Sequence, residues 1–378
     1  MSSQVGLSHG DLSSYEELNQ KNSRPIIAVT MASSRQGSSV VRHLSQSGAY
    51  QIRAITRSPH SKRAKVLANL PNVEIVRGDL LEPESLKRVF SGVYGIFGNT
   101  TPTKGWILGR GSMVREYEIE QGRNLVDVVK QLADLGTLKH FVFSSVCKPK
   151  DPLKNEPAPG HFTSKWNIEE YILINGLKKL STILRPVSYF ENFDSDLPGV
   201  KISESIFPGI VHKDKVWQTI AVDDVGLWTR AVFEHPKRFW GESMNIAGEE
   251  MTGQEMAALW QKINPKESPS VRYSMVPRKL MNFIEHDIAL MASWIERAGY
   301  GADLKALKVL ANELDITMTP LSCWLKGKAS RNPKKRLPNI DLQRRFAPLP
   351  ILPCMVANRV AVVKFLICVT GDNTVLAY

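Results

Sequence analysis

The chain has few cysteines and no long uninterrupted apolar run, and these two absences exclude several classes of protein. Its 378 residues include four cysteines without metal-ligand spacing, which favours free thiols in a reducing compartment over a disulfide framework. The N-terminus lacks the basic and apolar regions of a secretory signal. In the C-terminal apolar stretch, Arg359 and Lys364 leave runs far below the roughly 20 residues that span a bilayer. We therefore expect a cytoplasmic or nuclear protein with no membrane contact.

Positive charge is concentrated at the C-terminus. The net charge is +12, but residues 325–378 contain ten Lys and Arg against two Asp, which places +8 of the charge there. The remainder is only weakly basic, so the charge does not indicate direct nucleic-acid binding by the folded part. We predict a flexible N-terminal arm (1–24), a folded domain (25–325) and a basic, partly apolar C-terminal extension (326–378).

Strand and helix patterns alternate along the first half of the domain, which predicts a parallel sheet with right-handed crossovers. The predicted strands are 26–30, 51–56, 73–76, 93–97, 140–144 and 181–184, and the predicted helices are 36–47, 60–70, 83–90, 116–135 and 165–175. The fold class is therefore α/β, with a doubly wound core of the Rossmann type over about 25–186.

A smaller α+β lobe is expected over about 187–325. In this lobe the sequence predicts a helix 225–233 capped by Asp223 and Asp224, a strand 243–246, a helix 252–262 with Thr252 as N-cap, a mainly helical stretch 276–310 and a closing helix 318–325.

The turn after the first strand has lost most of the glycines that such a turn carries when it binds a dinucleotide. The G-x-x-G-x-x-G spacing is kept, but its first two positions are Met31 and Ser34, and only Gly37 is glycine. The backbone amides and serine hydroxyls of this turn still favour a phosphate at the helix N-terminus. The candidate ligands are Ser33, Ser34, Arg35, Gln36 and Gly37. The alternative is a plain strand–helix turn without a ligand.

The end of the second strand lacks the acidic residue that holds the ribose of NAD. Arg57 stands there, followed by Ser58, and a guanidinium at this position favours a 2′-phosphate. NADP(H) is therefore the predicted cofactor, ahead of NAD(H). Two further strand ends carry polar groups: Asp79 and Leu80 at the adenine edge, and Asn99 and Thr100 near the pyrophosphate or the nicotinamide ribose.

The catalytic tyrosine of a Tyr-x-x-x-Lys pair is also missing. Lys165 is present, but His161 occupies the tyrosine position. An imidazole can act as an acid or a base, although a single histidine before a helix is more often a surface or capping residue. Lys165 has a second available role, which is to reach the nicotinamide ribose hydroxyls. No His, Cys or carboxylate grouping has ligand spacing, so no metal is expected.

Taken in order, these motifs resemble the NmrA-like family of atypical short-chain dehydrogenase/reductase proteins over about 26–325. The matching segments are the turn A-S-S-R-Q-G (32–37), T-R-S-P (56–59), G-D-L (78–80), N-T-T (99–101), H-F-V-F-S-S (140–145), F-T-S-K-W-N-I-E-E-Y (162–171), L-R-P-V-S-Y-F-E-N-F (184–193) and V-D-D-V-G (222–226). The resemblance implies a dinucleotide in the crevice of the sheet. It adds Tyr189, Phe190, Glu191 and Asn192 to the predicted contacts and includes Lys165 among them.

The resemblance implies two different functions. The first is an NADP(H)-responsive regulator that binds a protein partner, either a transcription factor or a metabolic enzyme, according to redox state. The second is an NADPH-dependent oxidoreductase, of the kind found in fungal secondary metabolism. Such an enzyme would act on a small-molecule substrate with Lys165, assisted by His161 or a water, in place of the tyrosine. A scaffold that has lost nucleotide binding is the third alternative, and the oligomeric state is left open.

Overall fold

A computed structural model describes residues 24–102, 111–148, 158–194, 201–265, 268–284 and 286–329. The predicted arm up to residue 23 and the predicted extension beyond Ala329 lie outside these ranges. Within them, no helix combines the length and apolarity needed to cross a bilayer.

The predicted alternation of strands and helices is confirmed. The strands are β1 (Ile26–Val29), β2 (Gln51–Thr56), β3 (Val73–Arg77), β4 (Gly95–Gly98), β5 (His140–Ser144), β6 (Ser181–Pro186), β7 (Ser188–Tyr189), β8 (Ile206–Gly209), β9 (Val216–Ile220), β10 (Ser243–Ile246), β11 (Glu249–Thr252) and β12 (Arg272–Met275). The α-helices are α1 (Arg35–Ser47), α2 (Lys62–Ala68), α3 (Pro83–Val89), α4 (Gly111–Asp134), α5 (Gly160–Ile174), α6 (Val222–Glu234), α7 (Pro236–Phe239), α8 (Gly253–Ile263), α9 (Arg278–Ile284), α10 (His286–Ala298), α11 (Leu304–Glu313) and α12 (Leu321–Ala329).

Seven parallel strands form the central sheet in the order β10-β6-β5-β4-β1-β2-β3. The order reverses between β1 and β4, and ligands of doubly wound sheets bind in the crevice at such a point. One apolar cluster joins α1 and α6 to the sheet and the smaller lobe, and a second lies under α3, α4 and α5. The fold is therefore a Rossmann-type α/β fold.

Helix α1 forms because its apolar residues share one face and both of its ends are capped. Val40, Val41 and Leu44 are fully buried against the sheet. The Ser34 side chain caps the first turn, and Gly48 ends the helix in the left-handed conformation at φ 68°. This geometry aims the N-terminus of α1 at the crevice.

The smaller lobe contains a three-stranded sheet in the order β11-β9-β7, a parallel β8–β12 pair and helices α8 to α12. Thr252 caps α8 as predicted, and it forms a reciprocal capping box with Glu255. Helix α12 begins three residues later than predicted and continues to Ala329, where the Lys328 ammonium pairs with Asp194 at 2.6 Å.

Helix α4 also begins five residues before its predicted start, at Gly111. Two other errors in predicted helix starts, those of α5 and α6, have a tertiary cause. Helix α5 begins at Gly160, five residues before the predicted start, because the Asp287 carboxylate from α10 accepts the Gly160 and His161 amides. Helix α6 begins at Val222, so Asp223 and Asp224 lie in its first turn and do not cap it. Asp223 instead pairs with Arg42 on α1.

Candidate functional site

The β1–α1 turn keeps the backbone shape of a glycine turn although two of its glycines are replaced. Met31 has φ 50°, the left-handed conformation for which glycine is normally required. Ser34 is extended at φ −73° and ψ 169°, which suits any side chain. A Cβ on Gly37 would lie 2.3 Å from the Met31 carbonyl oxygen. The turn therefore needs glycine at position 37 and carries backbone strain at Met31.

The N-terminus of α1 leaves amides for an anion. The Ser34 hydroxyl accepts the Gly37 amide at 3.0 Å, so the cap satisfies only one first-turn donor. The amides of Arg35 and Gln36 have no intrahelical acceptor, because they lie in the first turn. Their orientation and the helix dipole suit a phosphate. The close approach of α1 to the turn at Gly37 also fits a dinucleotide, because it brings these amides to the floor of the crevice.

Two arginines lie beside the turn, Arg63 next to Ser33 and Arg35 toward the segment 189–192. Arg35 donates to the Glu191 carbonyl at 3.4 Å, and Arg63 donates to the Ser33 carbonyl at 3.1 Å. Burial lowers the pKa of Arg63, and the nearby Arg35 charge lowers it further. The Ser33 hydroxyl lies 3.0 Å from the Thr56 hydroxyl at the end of β2. This part of the edge is therefore crowded with positive charge.

A cavity of about 340 Å³ opens beside this cluster, at the carboxyl ends of β2 and β3. It is lined by Arg57, Ser58, Pro59, His60, Ser61 and Arg77. Asp79 and Leu80 follow β3, where the Asp79 carboxylate accepts the Leu81 amide and the Leu80 side chain is buried in the core. The predicted residues Arg57 and Ser58 therefore line the same cavity. Arg77 also lines it, and the sequence analysis did not predict this residue.

Lys165 lies at the centre of a buried polar network. Its ammonium contacts the Asn99 side chain at 3.1 Å, the Thr100 carbonyl and hydroxyl at 3.0 and 2.9 Å, the Ser144 carbonyl at 3.3 Å and the Glu118 carboxylate at 3.3 Å. Burial lowers the pKa of Lys165, and the Glu118 charge opposes that shift. Lys165 thus joins the ends of β4 and β5 to α4, and the predicted Lys165, Asn99 and Thr100 are brought together.

Glu118 is a member of this network that sequence reasoning missed. Its side chain is fully buried and also accepts hydrogen bonds from the Thr100 hydroxyl at 3.0 Å and from Ser164. A signal was present in the sequence, because Glu118 lies on the face of α4 that carries Leu125 and Val129 into the core. A carboxylate on a buried helix face needs a charged partner.

His161 does not lie before a helix, as predicted, but in the first turn of α5. Its Nδ1 contacts the Asp287 carboxylate, and the two side chains are only 15% and 13% exposed. Burial raises the pKa of Asp287, but the His161 side chain and the backbone amides of Gly160 and His161 outweigh that effect and lower the pKa to about 2. This pair fastens α5 to α10 of the smaller lobe.

The segment from Tyr189 to Asn192 closes the other side of the crevice. The Gln36 amide nitrogen donates to the Tyr189 hydroxyl at 3.1 Å and to the Ser144 hydroxyl at 2.7 Å. The Phe190 ring is buried 6.0 Å from the Trp324 ring of α12. The other two residues of the segment are Glu191, whose carboxylate accepts the Val222 amide at 3.0 Å, and Asn192, which is exposed.

In the part of the chain that the structure describes, no grouping of three or more His, Cys, Asp or Glu side chains is arranged to hold a metal ion.

The parallel sheet, its switch point and the turn at Gly37 define a Rossmann-type α/β protein. The sequence profile of the NmrA-like family matches residues 23–324, and the chain belongs to that family. This confirms the predicted resemblance.

Two proteins of this family illustrate how far the sequence similarity extends along the chain. An NmrA-like family domain-containing protein of Dictyostelium discoideum is 25% identical over 283 residues, which cover 71% of this chain and 87% of that protein. An NmrA-like family domain-containing oxidoreductase of Aspergillus versicolor, notA′, is 33% identical over 153 residues, covering 40% of this chain and 41% of that protein.

Among solved structures, NmrA, a negative transcriptional regulator, has the same fold. Its complex with NAD has a TM-score of 0.64 and 20% identity, and its complex with NADP has a TM-score of 0.64 and 19% identity. Each alignment covers 81% of this chain and 95% of the solved chain.

Proposed function

We propose that this protein binds NADP(H) and acts as a redox-responsive regulator through a protein partner. One observation carries the proposal. The chain keeps the turn that would bind a dinucleotide, but it lacks the Tyr-Lys pair that would transfer a proton. The β1–α1 turn retains its glycine-like backbone at Met31 and the close approach at Gly37. At the catalytic position, a histidine replaces tyrosine and is held by Asp287 of another lobe.

The environment of Lys165 supports a positioning role. In a Tyr-Lys pair the ammonium lowers the tyrosine pKa, which requires the two side chains to interact. Here the ammonium contacts five oxygen atoms supplied by Asn99, Thr100, Ser144 and Glu118. These contacts hold the ends of β4 and β5 in the crevice, where a nicotinamide and its ribose would lie.

The preference for NADP(H) rests on the charge at the adenosine end. Arg57 replaces the carboxylate that would accept a ribose 2′-hydroxyl, and it lines a cavity with no acidic residue among its lining residues. A nicotinamide cofactor itself is supported by NmrA, which shares the fold and has been solved with NAD and with NADP. The bound cofactor would supply hydride transfer; the chain's own residues bind it, orient it and exclude water from the crevice.

A second candidate function is NADPH-dependent oxidoreduction of a small molecule. The specific observation in its favour is the similarity to the oxidoreductase notA′ from Aspergillus versicolor, which is 33% identical over the aligned residues. Burial also lowers the pKa of Lys165, which makes the ammonium a better proton donor. In this mechanism Lys165, with a water or the Ser144 hydroxyl, would deliver the proton.

The experiment that tests the proposal is a calorimetric titration of the full chain with NADPH, NADP⁺, NADH and NAD⁺. An assay of NADPH oxidation with quinone and aldehyde substrates follows. The regulator proposal expects tight binding of NADPH and NADP⁺, different affinities for the two redox forms and no turnover. Turnover that Lys165→Ala abolishes while NADPH binding persists would establish the oxidoreductase. Absence of binding to all four nucleotides would refute both functions.

The proposed partner is a transcription factor or a metabolic enzyme in the cytoplasm or the nucleus. A regulator of this kind must bind its partner with an affinity that depends on the bound nucleotide, because a ligand shifts an equilibrium only through differential affinity. Comparing partner binding in saturating NADPH and in saturating NADP⁺ tests this requirement.

A further inference from the structure

We infer that Arg77, at the end of β3, is the second cation of the site for the cofactor's 2′-phosphate, and that discrimination between NADP(H) and NAD(H) depends on it together with Arg57. The inference rests on the proposed nucleotide-binding function and names a residue that determines its specificity.

Arg77 and Arg57 are neighbours because of the register of the sheet. Arg77 pairs with Thr56 across the parallel β2–β3 ladder, and Arg57 directly follows Thr56. The Gly78 amide donates to the Thr56 carbonyl at 3.2 Å, which keeps the two strand ends together. Both arginines line the cavity of about 340 Å³, a volume within the range of roughly 300–1,000 Å³ typical of small-molecule sites.

The two guanidinium groups have no carboxylate partner in the part of the chain that the structure describes. Within the described residues, neither Arg57 nor Arg77 forms an ion pair with a carboxylate, and the hydrogen bond of Arg57 is to the neutral Tyr117 hydroxyl at 3.4 Å. The rest of the lining consists of two serines, a proline and His60. Both side chains are exposed, so water screens much of their mutual repulsion, and an anion bound between them would remove the remainder.

The chemistry of the cavity selects a phosphate over a hydroxyl. Guanidinium groups bind phosphate oxygens with paired, charge-assisted hydrogen bonds. The hydroxyls of Ser58 and Ser61 and the imidazole of His60 supply further donors at the same wall. A ribose 2′-hydroxyl would need a carboxylate acceptor, and no Asp or Glu lines this cavity. Two arginines from adjacent strand ends therefore fit a doubly charged phosphate.

The test measures dissociation constants for NADPH, NADH and adenosine 2′,5′-bisphosphate in the full-length wild type and in Arg77→Gln, Arg77→Lys and Arg57→Gln. We expect Arg77→Gln to weaken NADPH and adenosine 2′,5′-bisphosphate by about 10- to 100-fold, the range for hydrogen bonds to a charged group, with NADH changed less than about threefold. The NADPH dissociation constant of Arg77→Lys should lie between those of the wild type and Arg77→Gln, because lysine keeps the charge and loses the paired hydrogen bonds.

Arg88→Gln is the matched control, since it removes one exposed positive charge from the last turn of α3, outside the cavity lining. It should leave all three constants unchanged. Circular dichroism of each variant checks that the fold is kept.

The outcomes separate the inference from the function on which it rests. If the wild type binds NADPH and Arg77→Gln binds it equally well, the inference is refuted and the proposed function stands. An equal loss for NADPH and NADH would also refute the inference, because the arginine would then act away from the 2′-phosphate. If the wild type binds none of the three probes, the proposed function fails and the inference fails with it.

Discussion

The buried pair of Lys165 and Glu118 allows a quantitative prediction. Replacing Glu118 by Gln removes the negative charge and keeps the size of the side chain. The Lys165 ammonium, whose side chain is 10% exposed, would then contact only neutral oxygens, and the Glu169 carboxylate would be the remaining negative charge that acts on it. At the observed separation of 3.3 Å, the lost attraction is about 5 kcal/mol for an effective dielectric of 20.

Part of that attraction is recovered after the substitution. The oxygens of Asn99, Thr100 and Ser144 still contact the ammonium, and Lys165 can release its proton because burial already lowers its pKa. We therefore expect Glu118→Gln to lower the free energy of unfolding by about 2–4 kcal/mol, close to the range for breaking a buried ion pair. The midpoint of thermal unfolding should fall by roughly 4–15 °C.

The assay is denaturant and thermal unfolding of the full-length wild type and variants. Glu120→Gln, on the exposed face of the same helix, is the matched control and should change stability by less than about 0.5 kcal/mol. The double variant Glu118→Gln/Lys165→Met should be less destabilised than the sum of the single variants by at least about 1 kcal/mol. Equal effects of Glu118→Gln and Glu120→Gln, or strict additivity in the double variant, would refute the argument.

Three further predictions concern packing and pH. Gly37→Ala should destabilise the protein by about 1–3 kcal/mol and abolish nucleotide binding, since its Cβ would overlap turn backbone. Gly327→Ala in α12, with open space around its Cβ, should be tolerated in the same unfolding and titration assays. The low pKa of Asp287, about 2, stabilises the fold above about pH 4, and this stability is lost as pH falls toward 2. Asp287→Asn should flatten that part of the acid-unfolding profile, and an unchanged slope would exclude the His161–Asp287 pair as its source. Burial raises the pKa of Asp224 to about 7, so this group destabilises the fold as pH rises from about 4 to 7. Stability measured across that interval should become flatter in Asp224→Asn; an unaltered profile would contradict the assignment.

Elements with strong local patterns were predictable from the sequence. The strands 51–56, 140–144 and 243–246 and the helix beginning after Thr252 agree with the structure to within a residue, because each has a short apolar pattern or a capping box of its own. The start of α5 was not predictable in this way. Its cap is the Asp287 carboxylate, 126 residues from His161 in the sequence.

The sequence by itself determined the order of strands and helices, the turn that ends at Gly37 and the absence of a tyrosine before Lys165. Apolar periodicity, turn residues and motif spacing act over short stretches of chain, so they can be read without a fold. Only the tertiary structure decided what the polar residues do. It joined Lys165 to Glu118, fastened His161 to Asp287 and brought Arg77 beside Arg57. The strength of a charge depends on burial and on partners far away in sequence, and folding alone sets both.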